Sequence, residues 1–292
     1  MKYAWIKEHR HEFPVAVMCT VLEVSTSGYY EAQDRPVSRQ RQRREELAQA
    51  AARSYFESRR IYGYRKVHAD LRAQNLNCCD ETVRRVMAQM GLSSRIKRKF
   101  VRTTDSKHNL PVADNLLARD FTATAPNQKW VADITYIPTD EGWLYLAGVL
   151  DLFSRRAVGW SMSERIDAAL VVSALDMALI HRRPGSGLLH HSDRGTQYAS
   201  DAFQELLDTH QIVCSMSGKG DCWDNAVMES FFGSFKTEWL VGKKYSTREE
   251  AKKDVFKYIE VFYNHQRRHA ALEYLSPAAY EKQYQLKQEQ AA

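Results

Sequence analysis

The stretch "QKWVADITYIPTDEGWLYLAGVLDLFS" (residues 128–154) decides the fold of this chain. Its two apolar runs are rich in β-branched and aromatic residues, and the polar turn "TDEG" separates them. Such runs on either side of a short turn predict two neighbouring strands. Asp133 lies in the middle of the first run, where a buried carboxylate is costly unless it is paired or binds a metal.

Strand and helix patterns alternate after these two strands. "AVGWSMS" predicts a third strand, "GLLHHSD" a fourth and "VCSMSG" a short fifth. Helical patterns follow in "DAALVVSALDMALIHR", "SDAFQELLDTHQ" and "DNAVMESFFGSFKTEWL". The order βββαβαβα predicts an α/β fold with a mixed five-stranded sheet flanked by helices. Further helices are expected over residues 247–264 and 276–285.

The front of the chain predicts small all-helical units. Residues 12–33 read as two short helices around "STSG", with Val17, Met18 and Leu22 on one apolar face. Two helices joined by a tight turn are typical of a helix-turn-helix. "RRIYGYRKVHADLRAQ" also carries one apolar stripe.

A second small helical unit ends in "CDETVRRVMAQMGL" (residues 79–92). Asp80 is the expected N-cap, and its apolar residues recur at helical spacing until Gly91. Arg84 and Arg85 lie off that stripe, so they are candidates for DNA phosphate contact, with an ordinary solvated face as the alternative.

Charge divides unevenly along the chain. Residues 1–110 hold 22 Lys and Arg against 12 Asp and Glu, and residues 111–292 hold 20 against 24. A basic front before an acidic back indicates that the front binds a polyanion. A basic linker without periodicity follows the last front helix and is expected to track phosphates. Its candidate DNA-binding cations are Arg95, Lys97, Arg98 and Lys99.

Several protein classes are excluded by simple features. The longest nearly apolar run, "AALVVSALDMALI", is too short to cross a bilayer, and the first residues lack the apolar core of a secretory signal. The five cysteines are odd in number and show no C-x-x-C spacing, which argues against a disulfide framework or a zinc site. No heptad pattern persists, so no coiled coil is expected. A cytoplasmic, nucleoid-associated protein is expected.

Three carboxylates can meet at one edge of the predicted sheet. Asp133 lies within the first strand, Asp193 ends the fourth, and Glu229 lies on the following helix. On a helical wheel, Asn225, Glu229 and Lys236 fall within about 40° of each other. Carboxylates so placed suit two divalent cations and in-line attack on a phosphodiester.

Each of these residues also has a plainer interpretation. Asp133 alone could be a satisfied core carboxylate, and Glu229 alone a solvated helix residue. Asp151 is a rival strand carboxylate that could pair with a neighbouring arginine. His190 and His191 could bind a metal, although histidines at a strand end are more often structural.

The spacing and its flanking motifs resemble a known family. Asp133 and Asp193 are separated by 59 residues, and Asp193 and Glu229 by 35, with Lys236 seven residues further on. This resembles the DD(35)E signature of retroviral-type integrases and bacterial transposases. The motifs "W-x-x-D-I-T-Y-I", "D-L-F-S-R", "H-S-D-R-G-T-Q-Y", "D-N-A-x-x-E-S-F-F" and "Y-N-x-x-R-x-H-x-x-L-x-Y-x-S-P" resemble OrfB-type transposases of the insertion sequence three family.

The resemblance implies an RNase H-like core preceded by helix-turn-helix domains and followed by C-terminal helices. It implies catalytic, metal-binding roles for Asp133, Asp193 and Glu229, with Mg²⁺ as the cofactor and Mn²⁺ as a substitute. Gln197, Asn225 and Lys236 match family positions near the active site and are expected to contact DNA. The implied reaction is 3′-end cleavage of the element followed by strand transfer, without a covalent enzyme–DNA intermediate.

Five segments are expected along the chain: an N-terminal helix-turn-helix-like segment at 1–40, a helix-turn-helix DNA-binding domain at 41–100, a basic linker at 101–125, the RNase H-like core at 126–240 and a C-terminal helical extension at 241–292. The expected partners are the terminal inverted repeats of the element, target DNA and further copies of the chain. A product of the upstream frame, fused by frameshifting, is expected to supply the multimerising segment that this sequence lacks. A DNA-binding repressor and a hydrolytic nuclease on the same core remain the competing hypotheses.

Overall fold

The chain divides into two compact units, residues 1–94 and 95–292. The computed structural model describes residues 2–34, 36, 38–94, 112–218 and 222–291, with the backbone alone at 222 and 223. The four linker cations predicted between residues 95 and 99 therefore lie outside the described residues. Each unit has buried apolar residues of its own.

The first unit begins with three short helices that share a small core. They are α1 (Lys2–His9), α2 (Val15–Val21) and α3 (Thr26–Asp34). The residues buried among them are Ile6, Met18, Cys19 and Tyr29. The two helices predicted within residues 12–33 are present as α2 and α3.

Two details of this region differ from the sequence prediction. Val17 was placed on the apolar face with Met18, but its side chain is 55% exposed while Met18 is buried. The two residues are adjacent in sequence, so a helix turns them about 100° apart. Helix α1 was not predicted, because its single buried residue, Ile6, produces no periodic pattern.

Three longer helices complete the first unit. They are α4 (Arg39–Glu57), α5 (Tyr64–Ala73) and α6 (Asp80–Gln89). In α6 the predicted stripe is buried at Val83, Val86 and Met87. The N-cap is Cys79 and not Asp80, which is the first helical residue. An acidic side chain is favourable there too, because it faces the positive end of the helix dipole.

The second unit contains a five-stranded sheet in the order β3-β2-β1-β4-β5. Strand β1 pairs antiparallel with β2, which pairs antiparallel with β3, whereas β4 and β5 continue from β1 in parallel. The predicted mixed five-stranded sheet is therefore confirmed. The strands are β1 (Lys129–Thr139), β2 (Gly142–Asp151), β3 (Ala157–Ser163), β4 (Leu189–Ser192) and β5 (Val213–Met216).

Helices α7 (Ala168–Arg182) and α8 (Asp201–Thr209) pack with the sheet in the main apolar core. Helix α7 lies very close to β3. A Cβ atom at Gly159 would lie 2.2 Å from the backbone oxygen of Ala174 and 2.7 Å from the Cβ atom of Ala178. Glycine at this position is what allows the helix to approach the strand so closely.

The helix that carries Glu229 is less regular than predicted. It consists of a 3-10 turn (Cys222–Asn225), helix α9 (Ala226–Ser234) and a π-helical turn (Phe235–Leu240). The prediction that Asn225, Glu229 and Lys236 share one face assumed 3.6 residues per turn throughout, so its angles do not hold at either end. Helix α9 nevertheless packs beside β1 and β2. It lies so close to β2 that a Cβ atom added at Gly148 would contact the side chains of Met228 and Phe232.

The C-terminal segment is helical and is tied to the edge of the sheet. It contains α10 (Arg248–Phe256), a second π-helical turn (Lys257–Tyr263), a short 3-10 turn and α11 (Pro277–Ala291). The side-chain amide of Asn264 donates to the carbonyl of Ala157 and accepts from its N–H, both at 3.0 Å. Asn264 thereby satisfies the outward backbone groups at the start of β3.

Two buried ion-pair clusters reinforce this attachment. Glu281 on α11 accepts hydrogen bonds from Arg156 at 2.7 Å and from Arg182 at 2.8 and 2.9 Å. Arg267 donates two hydrogen bonds of 2.6 Å to Glu238 in the π-helical turn after α9. The C-terminal helices are thus bonded to the sheet, to α7 and to the element that carries Lys236.

Candidate active site

Asp133 lies in the middle of β1, opposite Gly148 on β2. Its side chain is half-buried, and its Oδ1 accepts a 2.7 Å hydrogen bond from the N–H of Ile134. Burial raises the pKa of Asp133 to about 8, and the negative charges of Asp193 and Glu229 act in the same direction. The fold therefore brings all three predicted carboxylates into one electrostatic neighbourhood.

Asp193 reaches this neighbourhood because β4 runs parallel to β1. The pairing of Val131 with His191 places Asp133 and Asp193 two residues further along adjacent strands. Immediately after β4 the chain turns, and the N–H of Gly195 donates to Oδ1 of Asp193 at 2.9 Å. This bond orients the carboxylate at the strand end, where functional groups of α/β sheets collect.

Glu229 and Lys236 come from elements outside the sheet. Glu229 lies on α9, and Lys236 lies on the π-helical turn that follows it. Glu229 is exposed. The ammonium of Lys236 lies 4.7 Å from the ring centre of Tyr136 on β1. Burial lowers the pKa of Lys236, while the charge of Asp133 raises it. The ammonium of Lys236 thus lies over Tyr136 and within electrostatic range of Asp133.

Asn225 is buried at the start of α9. Its side-chain amide donates a 2.9 Å hydrogen bond to the carbonyl of Ala132, the residue before Asp133. The donor that was expected to contact DNA is thus engaged with β1. Gln197 is partly exposed and donates a 3.3 Å hydrogen bond to the carbonyl of Ile166. Direct DNA contact by either residue stays a prediction.

Asp224 organises the loop before α9, and its role was not predicted. Its buried carboxylate accepts hydrogen bonds from Gly218 N–H at 2.8 Å, from the amide of Asn115 at 2.8 Å and from Arg119 at 2.9 Å. Burial opposes these bonds, but together they hold the pKa of Asp224 below its usual value. The only hint in the sequence is its position in the "D-N-A-x-x-E" motif, since its two side-chain partners, Asn115 and Arg119, lie more than a hundred residues away.

The remaining polar residues near the strand ends are structural. Oγ of Ser215 accepts from two backbone N–H groups, so its hydroxyl donates to Nδ1 of His191 at 2.9 Å. Nε2 of His191 then donates to Ser217 at 3.1 Å. His190 is buried against Phe203. Burial lowers the pKa of His190 to about 3 and that of His191 to about 4, so both side chains are neutral.

Asp151 is a structural carboxylate and not a member of the site. It accepts hydrogen bonds from the backbone N–H groups of Asn127 at 2.6 Å, Phe153 at 2.8 Å and Ser154 at 3.1 Å. The indole of Trp130 donates to it at 3.2 Å. The expected alternative, pairing with a neighbouring arginine, is replaced by these contacts.

The donor set fits a hard divalent cation chemically. Carboxylate oxygens are the ligands that such cations prefer. Two buried polar atoms, the hydroxyl of Tyr198 and Oδ1 of Asn225, have no hydrogen-bond partner among the residues that the structure describes. Burial raises the pKa of Tyr198, and the negative charges of Asp133 and Asp193 act in the same direction, so its hydroxyl lies within electrostatic range of both. Within the described ranges, no three His, Cys, Asp or Glu side chains are close enough together to hold a metal ion. The carboxylates thus share a neighbourhood without closing on one point.

The predicted DNA-binding residues of the first unit lie on an exposed helix face. Arg84 and Arg85 both donate to Glu81, at 2.6 Å and 2.9 Å. All three side chains are largely exposed. The two arginines are therefore available at the surface, although an acidic neighbour offsets part of their charge. Separately, none of the helices in the described ranges has the length and apolarity needed to cross a membrane.

Family models match most of the chain. A model of an HTH-like domain matches residues 42–100, and two models of integrase core domains match residues 123–222 and 229–284. Of the solved structures, a simian T-cell lymphotropic virus intasome in complex with PP2A regulatory subunit B56 gamma covers 79% of this chain and 74% of its own, at 15% identity and a TM-score of 0.46. The HTLV-2 integrase catalytic core domain in complex with magnesium covers 55% of this chain and 99% of its own, at 17% identity and a TM-score of 0.43.

Curated relatives match the chain over nearly its whole length. Transposase InsF for insertion sequence IS3A of Escherichia coli (strain K12) is 44% identical over 96% of this chain and 98% of its own. An uncharacterized 31 kDa protein of insertion element IS600 from Shigella sonnei is 43% identical over 91% of this chain and 98% of its own. The family resemblance drawn from the motifs is confirmed: the chain belongs to the InsF-type transposases of the IS3 family, DDE enzymes that carry an integrase core and an HTH-like domain.

Proposed function

We propose that this transposase cleaves the 3′ ends of an insertion sequence and joins them to target DNA at a site formed by Asp133, Asp193 and Glu229. The observation that carries the assignment is that the parallel register of β1 and β4 places Asp133 and Asp193 at matching positions on adjacent strands, while Asn225 ties the start of the Glu229 helix to β1. Burial and the two neighbouring carboxylates all disfavour the charged form of Asp133. A carboxyl group perturbed in this way is typical of functional sites, because it does not stabilise the fold.

The three carboxylates would hold Mg²⁺, with Mn²⁺ as a substitute. Such a cation supplies an activated attacking oxygen and stabilisation of the leaving oxygen in phosphodiester chemistry. The protein's part is to present the carboxylates. Asp133 is fixed by β1, Asp193 by the N–H of Gly195, and Glu229 by the helix that Asn225 ties to β1.

The cations of the chain would position the DNA. Lys236 stands beside the carboxylates and suits a phosphate near the reacting bond. Arg84 and Arg85, with the linker cations Arg95, Lys97, Arg98 and Lys99, would bind phosphates sequence-independently. Gln197 and Asn225 border the same site, Gln197 partly exposed and Asn225 buried.

The proposed partners follow from this reaction. They are the terminal inverted repeats, target DNA and further copies of this chain, because two element ends must be joined together. An upstream-frame segment fused by frameshifting would raise the effective concentration of the second end. The proposed location is the cytoplasm, at the nucleoid. The expected division into segments 1–40, 41–100, 101–125, 126–240 and 241–292 remains part of the proposal.

The test is end cleavage and strand transfer with labelled element ends, Mg²⁺ and a target plasmid. Asp133→Asn and Glu229→Gln should each lower both steps by more than about a hundredfold, beyond the loss that removal of an outer-shell partner typically causes. Asp176→Asn, at an exposed carboxylate of α7, is the matched control and should behave as wild type.

Two outcomes would decide for the alternatives. Nicked DNA without joined product would assign the site to a hydrolytic nuclease. Tight binding of ends with neither cleavage nor joining, in every metal tested, would support a DNA-binding repressor. Near-normal strand transfer by either carboxylate variant would overturn the proposed site.

A further inference from the structure

An exposed tryptophan lies on the strand pair that carries Asp133, towards the far end of β1. Trp143 lies at the start of β2 and is 49% exposed. Its ring meets Tyr136 edge to face, with ring centres 4.9 Å apart and an interplanar angle of 81°. The register pairs Trp143 with Pro138 on β1, so Tyr136 is its diagonal neighbour on the same side of the sheet.

This aromatic pair is joined to the carboxylates through Lys236. The Lys236 ammonium lies 4.7 Å from the Tyr136 ring centre, and it interacts electrostatically with Asp133. Tyr136 and Asp133 are three residues apart on β1 and so face opposite sides of the sheet. Lys236 is the group that connects the aromatic pair with Asp133. An apolar core would not need a lysine beside the aromatic pair, and a surface ion pair would not need an exposed aromatic ring next to it.

The hairpin that carries Trp143 is held in place by α10. The N–H of Arg248 donates to Glu141 at 2.7 Å, and Nε of Arg248 donates to the carbonyl of Trp143 at 3.2 Å. Arg248 also pairs with Glu164 at 3.1 Å. These contacts fix the backbone beneath the indole, so little conformational entropy is lost when a ligand covers it.

We propose that Trp143, supported by Tyr136, is a stacking platform for an unpaired nucleobase of the DNA end. The proposal rests on the proposed function, because it takes the substrate to be DNA. A nucleobase presents the flat π-face that an indole binds, and Lys236 is placed for the adjoining phosphate.

The platform selects unpaired bases over paired ones. In an intact duplex each base face is covered by its neighbours, so only a frayed terminal base or a flipped one can lie on Trp143. The ligand class is therefore the melted end of a duplex or a single strand. Because the π-face is common to all four bases, little sequence preference is expected.

The experiment measures DNA affinity of the full chain without divalent cation, by fluorescence anisotropy. Three labelled probes are used: oligothymidylate, a blunt duplex, and the same duplex with mismatched terminal pairs. Trp143→Ala should weaken binding to the single strand and the mismatched end about tenfold, the loss that base stacking implies. Its affinity for the blunt duplex should change less than about twofold, because phosphate contacts dominate there.

Two variants serve as controls. Trp143→Phe keeps an aromatic face and should retain most of the preference for the mismatched end. Phe256→Ala removes an aromatic side chain of the same exposure, 49%, from α10 and should leave all three affinities unchanged. Far-ultraviolet circular dichroism confirms that each variant is folded.

Equal losses on all three probes, or no loss on any of them, would overturn the platform. A Trp143→Ala protein that keeps its DNA affinities but changes its oligomeric state would assign the indole to a protein interface and would also overturn it. These outcomes are independent of the proposed catalytic site, which is tested by the carboxylate variants in the presence of Mg²⁺. Failure of the stacking platform can therefore be distinguished from failure of the proposed catalytic site.

Discussion

The side-chain amide of Asn225 donates a hydrogen bond to the carbonyl of Ala132, one residue before Asp133. This bond connects the start of the helix bearing Glu229 to the strand bearing Asp133. The side-chain oxygen of Asn225, Oδ1, is buried and has no hydrogen-bond partner within the described part of the chain. Asn225 is thus placed to set the distance between two carboxylates, in addition to any contact with DNA.

Replacing Asn225 with Ala should therefore lower catalysis more than DNA binding. Loss of the bond leaves the Ala132 carbonyl unsatisfied and frees α9 to shift, and such positioning losses typically cost about 10–100-fold in activity. Strand-transfer rates at saturating DNA, compared with affinities from gel shifts, separate the two effects. Gln197→Ala, which removes a side chain more exposed than that of Asn225, is the comparison variant. A purely affinity-based defect in Asn225→Ala would instead assign the residue to DNA contact.

Asp133 should destabilise the metal-free fold. Its folded pKa of about 8 lies above its ordinary value of 3.8, so stability is lost as pH rises through that window, because the carboxyl of the unfolded chain ionises while that of the folded chain keeps its proton. Asp133→Asn should accordingly stabilise the protein by about 1–2 kcal/mol at pH values near 8, with the gain shrinking as pH falls towards 4.

Urea unfolding in EDTA at the two ends of this pH window measures the gain. Asp176→Asn, at an exposed carboxylate, controls for general charge effects. A stability difference between Asp133→Asn and wild type that is the same at both pH values would show that ionisation of Asp133 carries no cost.

The buried pair of Arg267 and Glu238 should be sensitive to loss of one partner. Their side chains are 9% and 3% exposed and share two 2.6 Å hydrogen bonds. Arg267→Met leaves an uncompensated buried carboxylate and should cost about 3–5 kcal/mol of unfolding free energy. Exchanging both partners for apolar residues should recover much of this loss.

The exposed pair of Lys252 and Glu249, at 2.6 Å, provides the control. Lys252→Met should change stability by less than about 0.5 kcal/mol, because solvent screens surface ion pairs. Equal effects of Arg267→Met and Lys252→Met on the urea midpoint would contradict the burial argument.

Glu81 should limit DNA binding by the first unit. Its hydrogen bonds to Arg84 and Arg85 lower its pKa to about 2, so it is charged at every working pH and competes with DNA phosphates. Glu81→Gln should strengthen binding, and Arg84→Gln with Arg85→Gln should reduce the salt slope by about 2 from a wild-type value of roughly −5. Titrations at several salt concentrations measure both effects. Glu249→Gln, which frees Lys252 in the second unit, should leave the slope unchanged.

The sequence was most informative where one residue type dominates a local pattern. Strands β1 and β2 were predicted because β-branched and aromatic residues cluster on both sides of one turn. The neighbourhood of Asp133, Asp193 and Glu229 followed from the predicted order of elements and from family spacing. Local periodicity could not show that α9 is preceded by a 3-10 turn and followed by a π-helical turn. Phe235 and Trp239 of the π-helical turn pack on Tyr258, a contact distant in sequence that no local pattern encodes.

Other features depend on contacts that no local pattern encodes. Asp224 binds Asn115 and Arg119, 109 and 105 residues away. Helix α4 escaped prediction because it buries mainly small residues, Ala50, Ala51 and Ser54, within an arginine-rich stretch. Size and hydrophobicity mark a core face in sequence, so a face of small side chains leaves little signal.

The amide of Asn264, bonded to both outward groups of Ala157, also bears on aggregation. Strand β3 lies at one edge of the sheet, and an open edge can recruit a strand from another chain. A side chain that already occupies the first N–H and carbonyl of that edge denies an incoming strand its starting register. Asn264 therefore hinders edge-to-edge association of this sheet with a strand of another chain.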